Sequence, residues 1–172
     1  PDRENEWTEL FQGDASTWDT QGEAKWWREG DRILATGGDG VLRTDKSYDS
    51  YEYQMYFKTG PAANGGLFYR LKEREDQPSH YEIQIYNVPT ATNPTGSIYG
   101  MVPAEDAGCR SGDWCFMQVI SDGAYTRVLI NGETVAQAGN LALPDEGKIG
   151  IQNHSQGTIE YKRPRIKSLT DE

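Results

Sequence analysis

The chain has 172 residues, a formal charge of −10, 35% hydrophobic residues and 11% aromatic residues. That charge repels a polyphosphate partner and argues against nucleic acid, while the wealth of rings is unlike a disordered chain. No apolar run approaches the ~18 residues that cross a bilayer, and the length fits one domain, residues 1–172, able to bury a core without metal or disulfide staples.

In chain order the predicted elements are all strands. Trp7–Phe11, Lys25–Glu29, Arg32–Ala35 and Val41–Thr44 come first. The clearest is Ser50–Lys58, where Tyr51, Tyr53, Met55 and Phe57 share one face and Glu52, Gln54 and Tyr56 the other. Gly66–Lys72 and His80–Tyr86 follow. Trp114–Ser121 and Ala124–Asn131 flank an Asp-Gly turn, and Asn131-Gly132 turns the chain again into Glu133–Gln137, a meander. Lys148–Gln152 and Ile159–Leu169 close the set, with Pro164 placing the last strand at an edge or a bulge. Turn signals such as Gly37-Gly38-Asp39-Gly40 and Asn64-Gly65-Gly66 separate these runs, and no stretch holds a capped helical period. The layout predicts an all-β, two-sheet antiparallel jelly-roll sandwich of the concanavalin type. Two longer loops, 72–79 and 87–95, are either binding loops or solvated connections.

Cys109 and Cys115 lack the spacing of a zinc site. They either bridge one loop or stay free; the turn-like Arg110-Ser111-Gly112-Asp113 between them favours the bridge, and a bridge implies an oxidising compartment. The chain begins at Pro1 without a Met, as a trimmed start would. Together these point to a secreted or periplasmic protein.

Alternation then sorts the polar residues. Ile83 and Ile85 read as core, leaving Glu82, Gln84 and Tyr86 on the opposite face. Ile149 and Ile151 read as core, with Gln152 and His154 facing out; Arg70 points with Phe68, away from Leu67, Tyr69 and Leu71. If the strands are neighbours, Arg70, Glu82, Gln84, Gln152 and His154 meet on one face, near Tyr86 and Tyr99. Amides and charges pair with sugar hydroxyls and rings stack on their C–H faces, so the set suits a carbohydrate. A solvated outer face is the ordinary alternative, although Arg, Glu and Gln are poor choices for central strands. An endo-glucanase needs paired carboxylates along one strand, and Gln84 and Asn87 are amides, so that mechanism is not supported here.

Six blocks in order resemble one known family. They are Trp7-Thr8-Glu9-Leu10-Phe11-Gln12-Gly13 followed by Trp18, Leu42-Arg43-Thr44-Asp45-Lys46-Ser47-Tyr48, Asn64-Gly65-Gly66-Leu67-Phe68-Tyr69-Arg70, Tyr81-Glu82-Ile83-Gln84-Ile85, Thr95-Gly96-Ser97-Ile98-Tyr99-Gly100 with Gly112-Asp113-Trp114, and Ile149-Gly150-Ile151-Gln152-Asn153-His154. The pattern is similar to that of the 3-keto-disaccharide hydrolases, long known only as a domain of unknown function, and runs from about Glu6 to Leu169. The resemblance implies a concanavalin-like jelly roll acting on glycosides oxidised at C3. Two positions depart from the family: Asn87 stands where it usually has Asp, and Cys115 where it usually has Asn.

A 3-keto group acidifies the C2 proton, so a base can remove it and the C1 substituent leaves by elimination; water adding back gives net hydrolysis. The expected parts are a base (His154 or Glu82), a cation at the enolate (Arg70 or a bound divalent ion) and a donor to the leaving oxygen (Tyr99 or Tyr86). Imidazole, ordinarily titrating near ~6.5, suits the base role, unless His154 merely caps a loop. Gln84, Gln152, Tyr99, Tyr86, Asn64 and Asn87 are the expected substrate-binding residues. Glu82 and His154, with an amide oxygen, are an incomplete set for a divalent metal ion, and His80 reads as structural or peripheral. A carbohydrate-binding module without catalysis is the alternative from the same fold, and the sequence leaves the oligomeric state open.

Overall fold

The computed structural model describes residues 6–72 and 79–170. Thirteen strands run through them: β1 (Thr8–Glu9), β2 (Asp19–Gly22), β3 (Lys25–Glu29), β4 (Arg32–Thr36), β5 (Gly38–Arg43), β6 (Tyr51–Thr59), β7 (Gly65–Lys72), β8 (Ser79–Ile85), β9 (Cys115–Asp122), β10 (Tyr125–Ile130), β11 (Glu133–Ala138), β12 (Lys148–Ser155) and β13 (Ile159–Ser168). They form two antiparallel sheets. One has the order β11-β10-β9-β6-β13-β4-β3, with β1 also on β13; the other has the order β2-β5-β12-β7-β8. This is the two-sheet jelly-roll sandwich that the strand and turn pattern predicts.

Period-two patterning drives the packing. Tyr51, Tyr53, Met55 and Phe57 of β6 are all sealed from solvent, as are Leu67 and Tyr69 of β7, Ile83 and Ile85 of β8 and Ile149 and Ile151 of β12. They interleave in one core between the sheets. At ~1.5–3 kcal/mol for each large side chain fully buried, this layer dominates the folding free energy. The β10–β11 turn follows the Asn-Gly rule: Asn131 and Gly132 both take positive φ (51° and 84°), the backbone that hairpin twist requires. Cys109 and Cys115 are disulfide-bonded, closing the loop that leads into β9.

Four local expectations change and one open alternative is resolved. β2 was not foreseen, because Asp-Thr-Gln-Gly has no apolar alternation to reveal a strand. The Gly37-Gly38-Asp39-Gly40 run is not a turn throughout, since β5 starts at Gly38. A Cβ on Gly40 would stand 2.6 Å from that of Ala24, so glycine here permits close packing rather than reversal. Of the predicted strand Trp7–Phe11 only Thr8–Glu9 pairs. β12 continues to Ser155, which puts His154 inside a strand rather than in a capping position. β13 is central rather than at an edge, and Pro164 is accommodated by a bulge between Lys162 and Arg165, with Arg163 at φ 48°.

Candidate functional site

The outer face of the β2-β5-β12-β7-β8 sheet is built in rows, because residues paired across antiparallel strands share a face. One row is Gln21, Val41, Gln152, Gly66 and Gln84. The next is Asp19, Arg43, Gly150, Phe68 and Glu82. Tyr99 extends that row, since Ile98 bridges Ile83 and the Tyr99 N–H donates to the Glu82 carbonyl at 2.9 Å. A third pairs Asp39 with His154, whose backbone N–H donates to the Asn64 carbonyl at 2.7 Å. Glu82, Gln84, Gln152, His154, Tyr99 and Asn64 thus belong to one face.

Glycine shapes its centre. A Cβ on Gly66 would stand 2.5 Å from Glu82 Oε1 and 3.0 Å from Glu82 Cγ, so the glutamate lies over β7 only because that position has no side chain. Gln84 is buried beneath it. With its amide nitrogen turned toward the acceptors, Gln84 donates to Glu82 Oε1 at 3.1 Å and to the Gly65 carbonyl at 3.0 Å. Burial pushes the Glu82 carboxyl up to about 7; the charge of His154 pulls it back and that of Asp39 pushes it further. It therefore exchanges a proton near neutrality. His154 Nδ1 lies 2.8 Å from Asp39 Oδ1, both side chains being solvent-exposed. A neutral imidazole held this way donates from Nδ1 and keeps its Nε2 lone pair free.

His80 stands two residues before Glu82 on the same strand face. Its ring stacks on Phe68, centroids 3.9 Å apart and planes 20° apart. Phe68 is buried and His80 exposed, so the imidazole is the surface the stack presents. Partial shielding moves His80 below the usual imidazole range.

Arg70 is not part of this face. The β7 register shifts between Tyr69 and Lys72, Arg70 takes φ 54°, and the bulge turns its side chain inward. Its guanidinium is buried, with Nε and Nη2 each 3.1 Å from Ser121 Oγ of the opposite sheet and Nη1 donating to the carbonyls of Pro144 (3.0 Å) and Asp145. It also lies 5.9 Å from the Tyr51 ring centroid. Arg70 ties the two sheets together. Asn87 likewise leaves the site: alternation turns it from Gln84 toward the other sheet, where Nδ2 donates to Thr59 Oγ1 at 3.0 Å and Oδ1 accepts from Thr95 Oγ1. Tyr86, just past β8, is pinned by its backbone to Thr95 and borders a small crevice with Asn87 and Cys109. The charged 73–78 segment lies outside the described residues.

Sequence reasoning missed Asp39, Gly66 and the Phe68–His80 stack. Asp39 was hidden in a run read as a turn, and no pattern within one strand shows that Gly66 lies beneath Glu82. Among the described residues no group of three or more His, Cys, Asp or Glu could hold a metal ion. With Nδ1 of His154 facing Asp39, Glu82 and His154 fall short of a divalent-ion shell. A cavity of about 310 Å³ lies at the far, β2–β5 side of the sheet, bordered by Phe11, Trp18, Asp19, Arg43 and Tyr48. There the Arg43 guanidinium and Asp19 carboxylate are already paired at 2.7 Å. Glu82 does not border this cavity.

Similar structures agree with this architecture. Two Parabacteroides distasonis proteins, provisionally described as glycosyl hydrolases, match at TM-scores of 0.79 and 0.80 with 23% and 22% identity, over 95% of this chain in each case and over 99% and 94% of theirs. The carbohydrate-binding module CBM66 of Bacillus subtilis matches at a TM-score of 0.65 with 13% identity, over 88% of this chain and 95% of its own. At these identities the likeness establishes the fold. No curated protein matches the sequence. The 3-keto-alpha-glucoside-1,2-lyase-like domain profile matches residues 6–167, nearly the whole chain, and the protein belongs to that family.

Proposed function

We propose that the Glu82–His154 face binds a 3-keto-glycoside and releases its C1 substituent by elimination. One observation carries the reading: a carboxyl held by burial at about 7 shares an open sheet face with an imidazole oriented by a carboxylate. The two groups divide the work. His154 Nε2 takes the C2 proton, and the C–H pair moves into an enolate across C2, C3 and the C3 oxygen. That pair returns to form a C1–C2 double bond as the C1–O bond breaks toward oxygen. Glu82, still carrying a proton, gives it to the departing oxygen, so the products are a free aglycone and an unsaturated 3-keto sugar. Water added across that double bond converts elimination into net hydrolysis. Gln152 and Asn64, beside His154, and Tyr99, beside Glu82, supply hydroxyl partners and an exposed ring.

The test is to incubate the protein with a 3-keto-glucoside and follow release of the aglycone. Release by the wild type is expected, with loss on His154→Ala and no change in thermal stability. Absence of turnover, with retained binding of the unoxidised sugar, would point to a carbohydrate-binding module instead. The disulfide agrees with an extracytoplasmic setting for such an activity.

A further inference from the structure

The elimination proposed above leaves one charge unaccounted for. The C3 oxygen becomes an enolate, and Arg70, the cation expected there, is buried between the sheets. A donor must therefore come from another residue of the face. Arg43 donates from Nη2 to both carboxylate oxygens of Asp19, at 2.9 and 2.7 Å, on the far side of the sheet. The sequence contains 2 His. His154 is placed by Asp39; His80 stands on the same strand face as Glu82, at the position two residues before it.

We infer that His80 is the donor to the C3 oxygen, a reading that rests on the proposed elimination. Three observations support it. Residues i and i+2 on one strand face are about 7 Å apart, a spacing that a pyranose bridges between its C1 and C3 oxygens. Glu82 would then meet the leaving oxygen while His80 meets the ketone, two ring positions away, and His154 reaches C2 from β12. Next, the imidazole is braced: it stacks on Phe68 at 3.9 Å, and Phe68 is the cross-strand partner of Glu82. A braced donor aimed at developing charge needs little reorganisation during reaction. Finally, imidazole carries at least one N–H in either protonation state, so the role does not depend on its titration.

The experiment separates enolate formation from departure of the leaving group. 3-Keto-1,5-anhydroglucitol carries no aglycone at C1, so exchange of its C2 proton in D2O, followed by NMR, reports enolate formation without aglycone release. The wild type is expected to catalyse exchange. Glu82→Gln should retain exchange while losing aglycone release from a 3-keto-glucoside. His80→Phe, which keeps the ring stack but removes the N–H, should lose exchange about 100-fold. His80→Gln, which restores an N–H donor, should recover to within about tenfold of wild type. Exchange by His80→Phe within about threefold of wild type, or an active His80→Phe beside an inactive His80→Gln, would reduce His80 to a stacking residue and overturn the inference while leaving the elimination intact. A wild type that neither exchanges nor cleaves overturns both.

Discussion

Replacing Glu82 by Gln should stabilise the fold at pH 8 and not at pH 4, while abolishing aglycone release. The carboxyl titrates at about 7 in the folded protein, against an ordinary value of 4.5, with burial as the leading cause. Below pH 4.5 both states hold the proton and the shift has no consequence. Between 4.5 and 7 the folded state keeps a proton that the unfolded chain has lost, so stability declines as pH rises. Above 7 the decline is complete. At about 1.4 kcal/mol per pKa unit the full shift sets an upper bound of ~3 kcal/mol; residual solvent contact reduces this to ~2 kcal/mol. The neutral amide avoids the penalty. For a chain of this size, ~2 kcal/mol corresponds to a rise of about 4–8 °C in Tm. Thermal or urea melts of both proteins at pH 4 and pH 8 measure the difference, in which titrations common to both cancel. An equal difference at the two pH values would refute the burial argument, and a variant that still releases aglycone would remove Glu82 from the chemistry.

The other expectations concern the supports of the face. Arg70→Met removes a guanidinium bonded to Ser121, Pro144 and Asp145, and should cost ~2–4 kcal/mol in urea melts while activity per folded molecule persists. Asp39→Asn should lower turnover about 100-fold without shifting Tm, because His154 loses the carboxylate that orients it. Replacing Cys109 and Cys115 together by Ser frees a loop with a sequence separation of 6, and should lower stability by about 2 kcal/mol, read as a fall in Tm. Turnover of the wild type should fall as pH rises above about 7, where Glu82 surrenders the proton it donates. In Gly66→Ala the displaced carboxylate should titrate lower, moving that falling limb to lower pH.

Alternation alone recovered much of this molecule. The inward set of β6 and the isoleucines of β8 and β12 read directly from period two, and their outward neighbours Glu82, Gln84 and Gln152 followed at once. Alternation fails where the ladder does. One extra residue at the β7 bulge reverses Arg70, and nothing in Tyr69-Arg70-Leu71 announces the bulge. Asn87 failed differently: three positions from Gln84, it falls on the opposite side by alternation itself, and the chain keeps that direction past the end of β8. β2 was invisible because an edge strand of polar residues has no apolar stripe. The Asp39–His154 pair is separated by 115 positions in sequence, and only strand pairing discloses it.

What is unusual about the Glu82 face is that several local rules are broken together. A glycine occupies an inner strand where a β-branched residue would strengthen the ladder, a carboxyl is drawn over the gap and partly dried, and a glutamine is buried to hold it. Each choice is unfavourable for folding; the glycine alone costs ~0.5–1 kcal/mol against alanine. Sequences free to optimise stability would fill the gap with an aliphatic side chain and let the carboxylate swing into water. Local conflicts that converge on one spot, while the sandwich around them is consistent, are expected where function constrains the chain. The Arg70 network makes the contrast plain, since its buried charge is met by carbonyls and a hydroxyl on every side and leaves the guanidinium no route to a ligand. Burial with full pairing suits a structural group, whereas a carboxyl balanced near neutrality beside open sheet surface is what the proposed proton donor requires.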